Sequence, residues 1–369
     1  MKRPIYILIF LTISGIFACQ TEPASSQNEG EQSTDSLRYA EETHLKNIRQ
    51  LTFGGNNAEA YFSFDNQYLV MQLEHKAEGI PCDQIYYAKL PQSAEESFDL
   101  TRVSTGAGRT TCAYFMPGDS TIIFASTHLT SGDCPPDIDR AKIRKYVWPI
   151  YESYEIFISD RSANVLQQLT DNEFYDAEAT LSPQGDKIVF TSTRNGDLDL
   201  YTMNLDGSDV RQVTDEIGYD GGAFFSPDGS KLIFRASRFE TDEEKKEYLD
   251  LLSQGMVAPS NMELFVCNVD GSDLQQVTQL GKANWAPFFH PSGEKIVFSS
   301  NHASESGRKF NLFMINIDGT GLQQLTYDKQ FDAFPMFSPD GTKLVWSSNR
   351  NNGGTRDTNV FIADWVESD

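Results

Sequence analysis

Six times along this 369-residue chain the same string of signals returns. A tight turn close to Phe-Ser-Pro-Asp-Gly is followed by a short apolar run. A second run ends in Asp-Gly, and the unit closes on Leu/Val-Thr. The fullest copy is Phe225-Ser226-Pro227-Asp228-Gly229, then Lys231 to Phe234, Leu264 to Gly271, and Val277-Thr278. Each copy reads as one four-stranded sheet that cannot bury its own faces. Such copies must therefore stack on one another around an axis. The expected fold is all-β, a six-bladed propeller.

The turn segments begin at Phe62-Ser63, Phe115-Met116, Leu181-Ser182, Phe225-Ser226, Phe289-His290 and Phe337-Ser338. Proline presets φ and glycine supplies a positive φ, so Ser-Pro-Asp-Gly predicts a hairpin turn between first and second strands. Runs such as Lys187 to Phe190 and Lys343 to Trp346 are β-branched and aromatic, as inner strands should be. The Asp-Gly pairs at 206–207, 270–271 and 318–319 predict hairpins between third and fourth strands. The chain starts on a fourth strand (Ile48 to Thr52) and stops after a third strand (Asn359 to Trp365). The N-terminal strand is thus expected to complete the last blade and remove a free edge. Two insertions lie between second and third strands, in blades 2 and 4, and both are expected to be short and helical. In blade 4, Thr241-Asp242-Glu243-Glu244 is a capping box before Tyr248, Leu249, Leu251 and Leu252. In blade 2 the insertion runs from Cys134 to Tyr154 through Pro135-Pro136.

The N-terminus reads as a processing signal. Lys2 and Arg3 precede an apolar run from Ile5 to Phe17, short for a membrane-spanning helix. It ends in Ile16-Phe17-Ala18-Cys19, which resembles the lipobox of bacterial lipoproteins. That resemblance implies cleavage before Cys19 and lipidation of its sulfur, giving a signal peptide over 1–19. Residues 20–46 are rich in Ser, Glu, Gln and Thr and are expected to form a disordered tether, leaving 47–369 for the propeller. The net charge is -23, and without Lys2 and Arg3 the balance is 28 basic against 53 acidic residues. So acidic a body repels nucleic acid and anionic headgroups. A membrane should be met only through the lipid anchor, and the expected state is a monomer. In an oxidising envelope compartment a disulfide is expected between two of Cys82, Cys112 and Cys134. Cys267 sits in an apolar strand and reads as a small buried hydrophobe.

The combination of Phe-Ser-Pro-Asp-Gly, Asp-Gly and Leu-Thr from Ile48 to Trp365 resembles the repeat of the TolB propeller. That resemblance implies a six-bladed propeller in an envelope compartment, holding a partner protein near the channel mouth. In that family the partner is a peptidoglycan-associated lipoprotein, and an α/β domain precedes the propeller where this sequence has the expected tether. Similar propellers cap prolyl-oligopeptidase-like enzymes, but no Gly-x-Ser-x-Gly nucleophile motif is present here.

Aligning the repeats places Asn57, Thr110, Asp176, Asp220, Asn284 and Asp332 at one equivalent position before each innermost strand. These six are expected to ring one mouth of the central channel. Beside them fall Arg109, Tyr175, Tyr219, Trp285 and Phe331, with Glu59 and Glu178 one step further in. Short polar residues can recur for backbone reasons alone, whereas carboxylates beside aromatics suit a peptide or cation. The expected partner is a protein, peptide or glycan held at this mouth. No cofactor is required, although the three aspartates could collect calcium. No catalytic residue is assigned. The alternative is a carbohydrate-active lyase or hydrolase, similar to propeller lyases with a histidine-bound manganese, for which His128 and His302 could both face the insertions.

Overall fold

The computed structural model describes residues 36–93, 96–139, 143 and 145–367. Within them, six four-stranded antiparallel sheets form a six-bladed propeller. Blade 1 consists of Asn56–Phe62, Tyr68–His75, Ile80–Lys89 and Thr101–Arg102. Blades 2 to 5 begin at Thr110–Phe115, Asp176–Leu181, Asp220–Phe225 and Asn284–Phe289. Blade 6 consists of Asp332–Phe337, Lys343–Ser348, Asn359–Trp365 and the N-terminal strand Leu45–Gln50. Second strands such as Lys187–Ser192 and Lys343–Ser348 are buried along almost their whole length. Both of their faces meet neighbouring blades, which is why they are continuously apolar rather than alternating. Phe124, Phe190, Phe234, Phe298 and Trp346 sit at matching depth, all fully buried. Each contributes roughly 1.5–3 kcal/mol through burial.

Every part of the repeat has a physical reason. In the Ser-Pro-Asp-Gly turn, Ser226 Oγ donates to Asp228 Oδ1 (2.6 Å) and accepts from the Lys231 amide (2.9 Å). The Asp228 carboxylate, fixed by Ser226 and Ser230, is held down at a pKa of about 2. His290 replaces the serine in blade 5, and its Nδ1 accepts from the Ser292 amide (3.2 Å), so it serves the turn. In the Asp-Gly hairpins the glycines pack against the preceding blade. A Cβ on Gly207 or Gly319 would lie 2.7 Å from the carbonyl oxygen of Leu169 or Val277. The terminal Thr or Ser accepts the first free amide of the third strand, where the fourth strand diverges. Thr170, Thr214, Thr278 and Thr326 take the amides of Ile156, Leu200, Leu264 and Leu312 at 2.8–2.9 Å, and Ser104 takes that of Ile85 at 3.0 Å.

Blade 6 contains the same bond, made by a residue from the other end of the chain. Thr52 Oγ1 accepts from the Val360 amide (2.9 Å), and Leu45–Gln50 pairs antiparallel with Asn359–Trp365. Ordered packing begins before residue 47, the expected start of the propeller. Glu42 is fully buried and accepts from Arg350 Nη2 (2.9 Å), and His44 stacks on Trp365 with centroids 4.7 Å apart. Residues 36–46 therefore pack on blade 6 instead of forming a tether. The expected signal peptide, the lipidated Cys19 and the tether up to residue 35 lie outside the described residues.

The two insertions differ from each other. In blade 4, Asp242–Leu252 is a helix with the expected capping box, and Tyr248 turns inward to bond Asp197. The blade 2 insertion has no helix among its described residues. Its Trp148–Pro149 pairs as a short strand with Met256–Val257 of the blade 4 insertion. Cys82 is joined to Cys134 at the root of the blade 2 insertion, with Cα atoms 6.0 Å apart, and Cys112 and Cys267 remain free. Closing a loop of this length contributes about 4 kcal/mol in the chain-entropy account.

Candidate functional site

The six aligned polar residues are all fully buried, and none of them lines the channel cavity. They tie each blade to its own second strand or to the preceding blade. The expected polar collar is therefore structural. Asp176, Asp220 and Asp332 each meet an arginine eighteen residues on. Arg194 Nη2 donates to both Asp176 oxygens (3.0 and 2.9 Å), Arg238 to both Asp220 oxygens (2.5 and 3.1 Å), and Arg350 to Asp332 (2.9 Å). Where the first position is neutral, position eighteen holds histidine: Asn57 with His75, Thr110 with His128, Asn284 with His302. Asn57 and Asn284 donate to the Thr358 and Met262 carbonyls (2.9 Å each), and Thr110 to that of Asp83 (3.0 Å). A buried carboxylate needs a permanent cation, whereas a neutral amide or hydroxyl does not. The three aspartates are thus each neutralised within their own blade and do not converge as a shared calcium site.

The channel is lined two residues further on. Glu59, Cys112, Glu178, Gly222, Ala286 and Phe334 occupy one equivalent position in the six blades. All six have left-handed backbone, with φ between 47° and 60°. In every blade the pairing of first and second strands shifts register there. This is a β-bulge, which turns a side chain out of the sheet toward the axis. Non-glycine residues at positive φ are strained, and such strain persists only where the surroundings hold it. The preceding blade does so: Cys112 N donates to Gln72 Oε1 (3.2 Å), Gly222 N to Glu178 Oε2 (2.9 Å) and Phe334 N to Ser299 Oγ (3.0 Å).

All six bulge residues border a cavity of about 600 Å³. Its walls include Tyr61, Tyr154, Tyr175, Tyr219, Trp285 and Phe331, and its roof is the blade 2 insertion from Tyr146 to Tyr151. Of the residues expected at the mouth, Arg109, Tyr175, Tyr219, Trp285, Phe331, Glu59 and Glu178 are brought together here. Trp148 of the roof packs on Trp285 (5.1 Å between centroids) and lies against Arg235 (5.4 Å).

Charge in the cavity is largely paired off. Arg235 reaches from the second strand of blade 4 to Glu178 and Tyr219. It fills the space where Gly222 has no side chain, since a Cβ there would collide with its guanidinium. Burial works to raise the Glu178 pKa, but Arg235 and hydrogen bonds from Thr191 and Tyr219 outweigh it and leave the group below its usual range. Arg109 is held by Asp83 (3.0 Å), with Glu74 and Asp137 at 3.8 and 3.6 Å. Glu59 has no cation of its own. Its Oε2 is buried without a hydrogen-bond partner, and burial pushes its pKa up to about 7. The free thiol of Cys112 lies beside it and is pushed well above its ordinary value by burial.

His128 and His302 belong to blades 2 and 5, three blades apart, and each serves its own blade. His128 Nδ1 bonds Ser126 Oγ (2.8 Å) and its ring lies 4.5 Å from Phe157; His302 Nδ1 bonds Ser300 Oγ (3.0 Å), 4.4 Å from Phe313. Burial lowers both pKa values. Among the described residues, no three His, Cys, Asp or Glu side chains are grouped to hold a metal. The sequence alignment did not single out Cys112, Gly222, Ala286, Phe334 or Arg235. The signal available was the register: the channel position lies two residues past the recurrent polar one, where Glu59 and Glu178 already stood out.

Comparisons with known proteins agree with this architecture. Residues 151–257 and 256–357 match the family described as TolB beta propeller domain, together more than half of the chain. A solved structure from Agrobacterium tumefaciens described as TolB superposes with a TM-score of 0.55 at 19% identity, covering 85% of this chain and 91% of that one. TolB from Acinetobacter baumannii gives 0.50 at 17%, covering 85% and 64%. An oligogalacturonate lyase from Vibrio parahaemolyticus gives 0.50 at 12%, covering 86% and 93%. At these identities the solved structures share the fold. No curated protein matches the chain.

Proposed function

The chain belongs to the TolB β-propeller domain family, and on that premise we propose that it is a binding propeller of the cell envelope. It holds a protein, peptide or glycan ligand at the channel mouth beneath the paired insertions. The observation carrying this reading is the cavity itself: six bulged positions converge on one space of about 600 Å³, walled by aromatics. The bulges put five non-glycine residues at positive φ and aim one side chain per blade into this space, as an interior surface built for a ligand requires. A roofed cavity of this size takes a projecting end or side group of a ligand, not a flat protein surface.

Placement in the envelope rests on the signal-like N-terminus and on the Cys82–Cys134 disulfide, which suits an oxidising compartment. Among the described residues, no helix is long and apolar enough to cross a membrane. Attachment through a lipidated Cys19 is part of the same proposal. The test is photo-cross-linking in intact envelopes from Tyr146 and Tyr151 in the roof, with Asp228 in a hairpin on the opposite face as control. Adducts from the roof positions and none from Asp228 are expected. Equal labelling from both faces, or none from the roof, contradicts the reading.

A further inference from the structure

We infer that the cavity selects ligands bearing a cationic nitrogen, an ammonium or guanidinium, seated on the Glu59 carboxylate and flanked by the aromatic wall. This rests on the reading of the cavity as the binding site and narrows the chemistry of what enters it.

Charge around the space is not fully matched. Three carboxylates and two arginines border the space. Arg235 is committed to Glu178, and Arg109 to Asp83. Both cations are thus compensated in charge, although Arg109 Nε and Arg235 Nε are also buried without a hydrogen-bond partner, and a carboxylate or phosphate entering here would in addition meet Glu59. Glu59 is the remaining charge. Its buried Oε2 accepts no hydrogen bond, and an unpaired buried acceptor is destabilising. A donor that is also positive offsets both the missing bond and the missing countercharge. The groups acting on Glu59 are Cys112, Glu178, Arg235 and Asp83, and Tyr61 lies close enough to feel its charge. Tyr61, Tyr175, Tyr219 and Trp285 border the same cavity, and aromatic rings attract ammonium groups through cation–π interaction.

Burial keeps Glu59 partly protonated near neutrality, with a pKa of about 7. A cation therefore binds the ionised form and displaces a proton, so its affinity rises with pH through that region. The test uses three probes of one shape on the full-length protein: benzylamine, benzyl alcohol and benzoate, followed by tryptophan fluorescence and calorimetry at pH 5.5 and pH 8. Benzylamine should bind at least tenfold more tightly than benzyl alcohol at pH 8, with the gap narrowing at pH 5.5 and benzoate weakest. Glu59→Gln, which matches the protonated side chain in shape, should bring amine and alcohol to equal affinity at pH 8. Equal binding of amine and alcohol by the wild type, or a preference that survives Glu59→Gln, overturns the inference while leaving the cavity as a binding site. Binding of none of the three removes both. If Glu59→Gln fails to fold, the pH dependence of the wild-type preference decides the matter alone.

Discussion

At the scale of single residues, the buried carboxyls set an unusual dependence of stability on pH. Glu59 and Asp199 titrate at about 7, and Asp83 and Asp220 at about 6, in each case chiefly through burial. In the unfolded chain these groups return to the ordinary carboxyl range near 4. Between those limits the folded protein holds more protons than the unfolded one, so its stability falls as pH rises. Their contribution is complete below about pH 4 and lost by pH 7 to 8. Carboxylates held low, such as Asp228 and Glu178, act in the opposite sense only at more acid pH, and His128, His290 and His302, lowered by burial, oppose the trend below the ordinary imidazole value near 6.5. The wild type is therefore expected to melt at a higher temperature at pH 5.5 than at pH 8 in scanning calorimetry. Glu59→Gln should shrink that difference, mainly by raising the melting temperature at pH 8. A melting temperature that climbs steadily from pH 5.5 to pH 8 would show that these groups are not held as described.

At the scale of the blade, an Asp–Arg ion pair in blades 3, 4 and 6 and a neutral Asn or Thr with a His in blades 1, 2 and 5 occupy the same two positions. Arg194, Arg238, His128 and His302 all lie against an aromatic ring of their own third strand: Tyr201, Phe265, Phe157 and Phe313. Removing one member of a buried ion pair costs about 3–5 kcal/mol because the other is left uncompensated. Asp176→Asn alone and Arg194→His alone should each destabilise blade 3 on that scale. The double variant recreates the blade 5 combination and should recover at least about 1 kcal/mol of the summed loss. Chemical denaturation of the four proteins measures this, and strict additivity would refute the equivalence. Much at this scale was legible in the sequence. The turns, the Asp-Gly hairpins and the terminal Thr are local devices, and local chemistry specifies them. The aligned polar residue was also legible, but its role was not. Whether Asp176 faces a channel or an arginine depends on the bulge two residues later, and a bulge shifts the inward direction without changing composition. The described residues of the blade 2 insertion are not the expected helix, and Trp148–Pro149 there pairs with Met256–Val257, over a hundred residues away, which no local pattern specifies.

For the whole molecule, the decisive feature is that the first ordered strand stands as the outer strand of the last blade. Its closing Leu-Thr at 51–52 was readable because Leu/Val-Thr, or Val-Ser in blade 1, ends the other blades. The anchoring at Glu42 and His44 was not, since it depends on Arg350 and Trp365 at the far end of the chain. Deleting residues 47–52 exposes the edge of Asn359–Trp365 and removes the Thr52 bond to Val360. We expect loss of the single cooperative thermal transition, and a deletion that melts like the wild type would contradict this closure.

Ligand binding in the channel requires the bulged positions to form one layer around a ligand space. A crystal of the protein soaked with benzylamine near pH 8 tests this most directly. The expected result is density for the probe inside the cavity, its nitrogen within hydrogen-bond distance of Glu59, with Cys112, Glu178, Gly222, Ala286 and Phe334 around it at one level. A cavity holding only water while the probe occupies the outer surface, or bulge residues turned away from the axis, would contradict it.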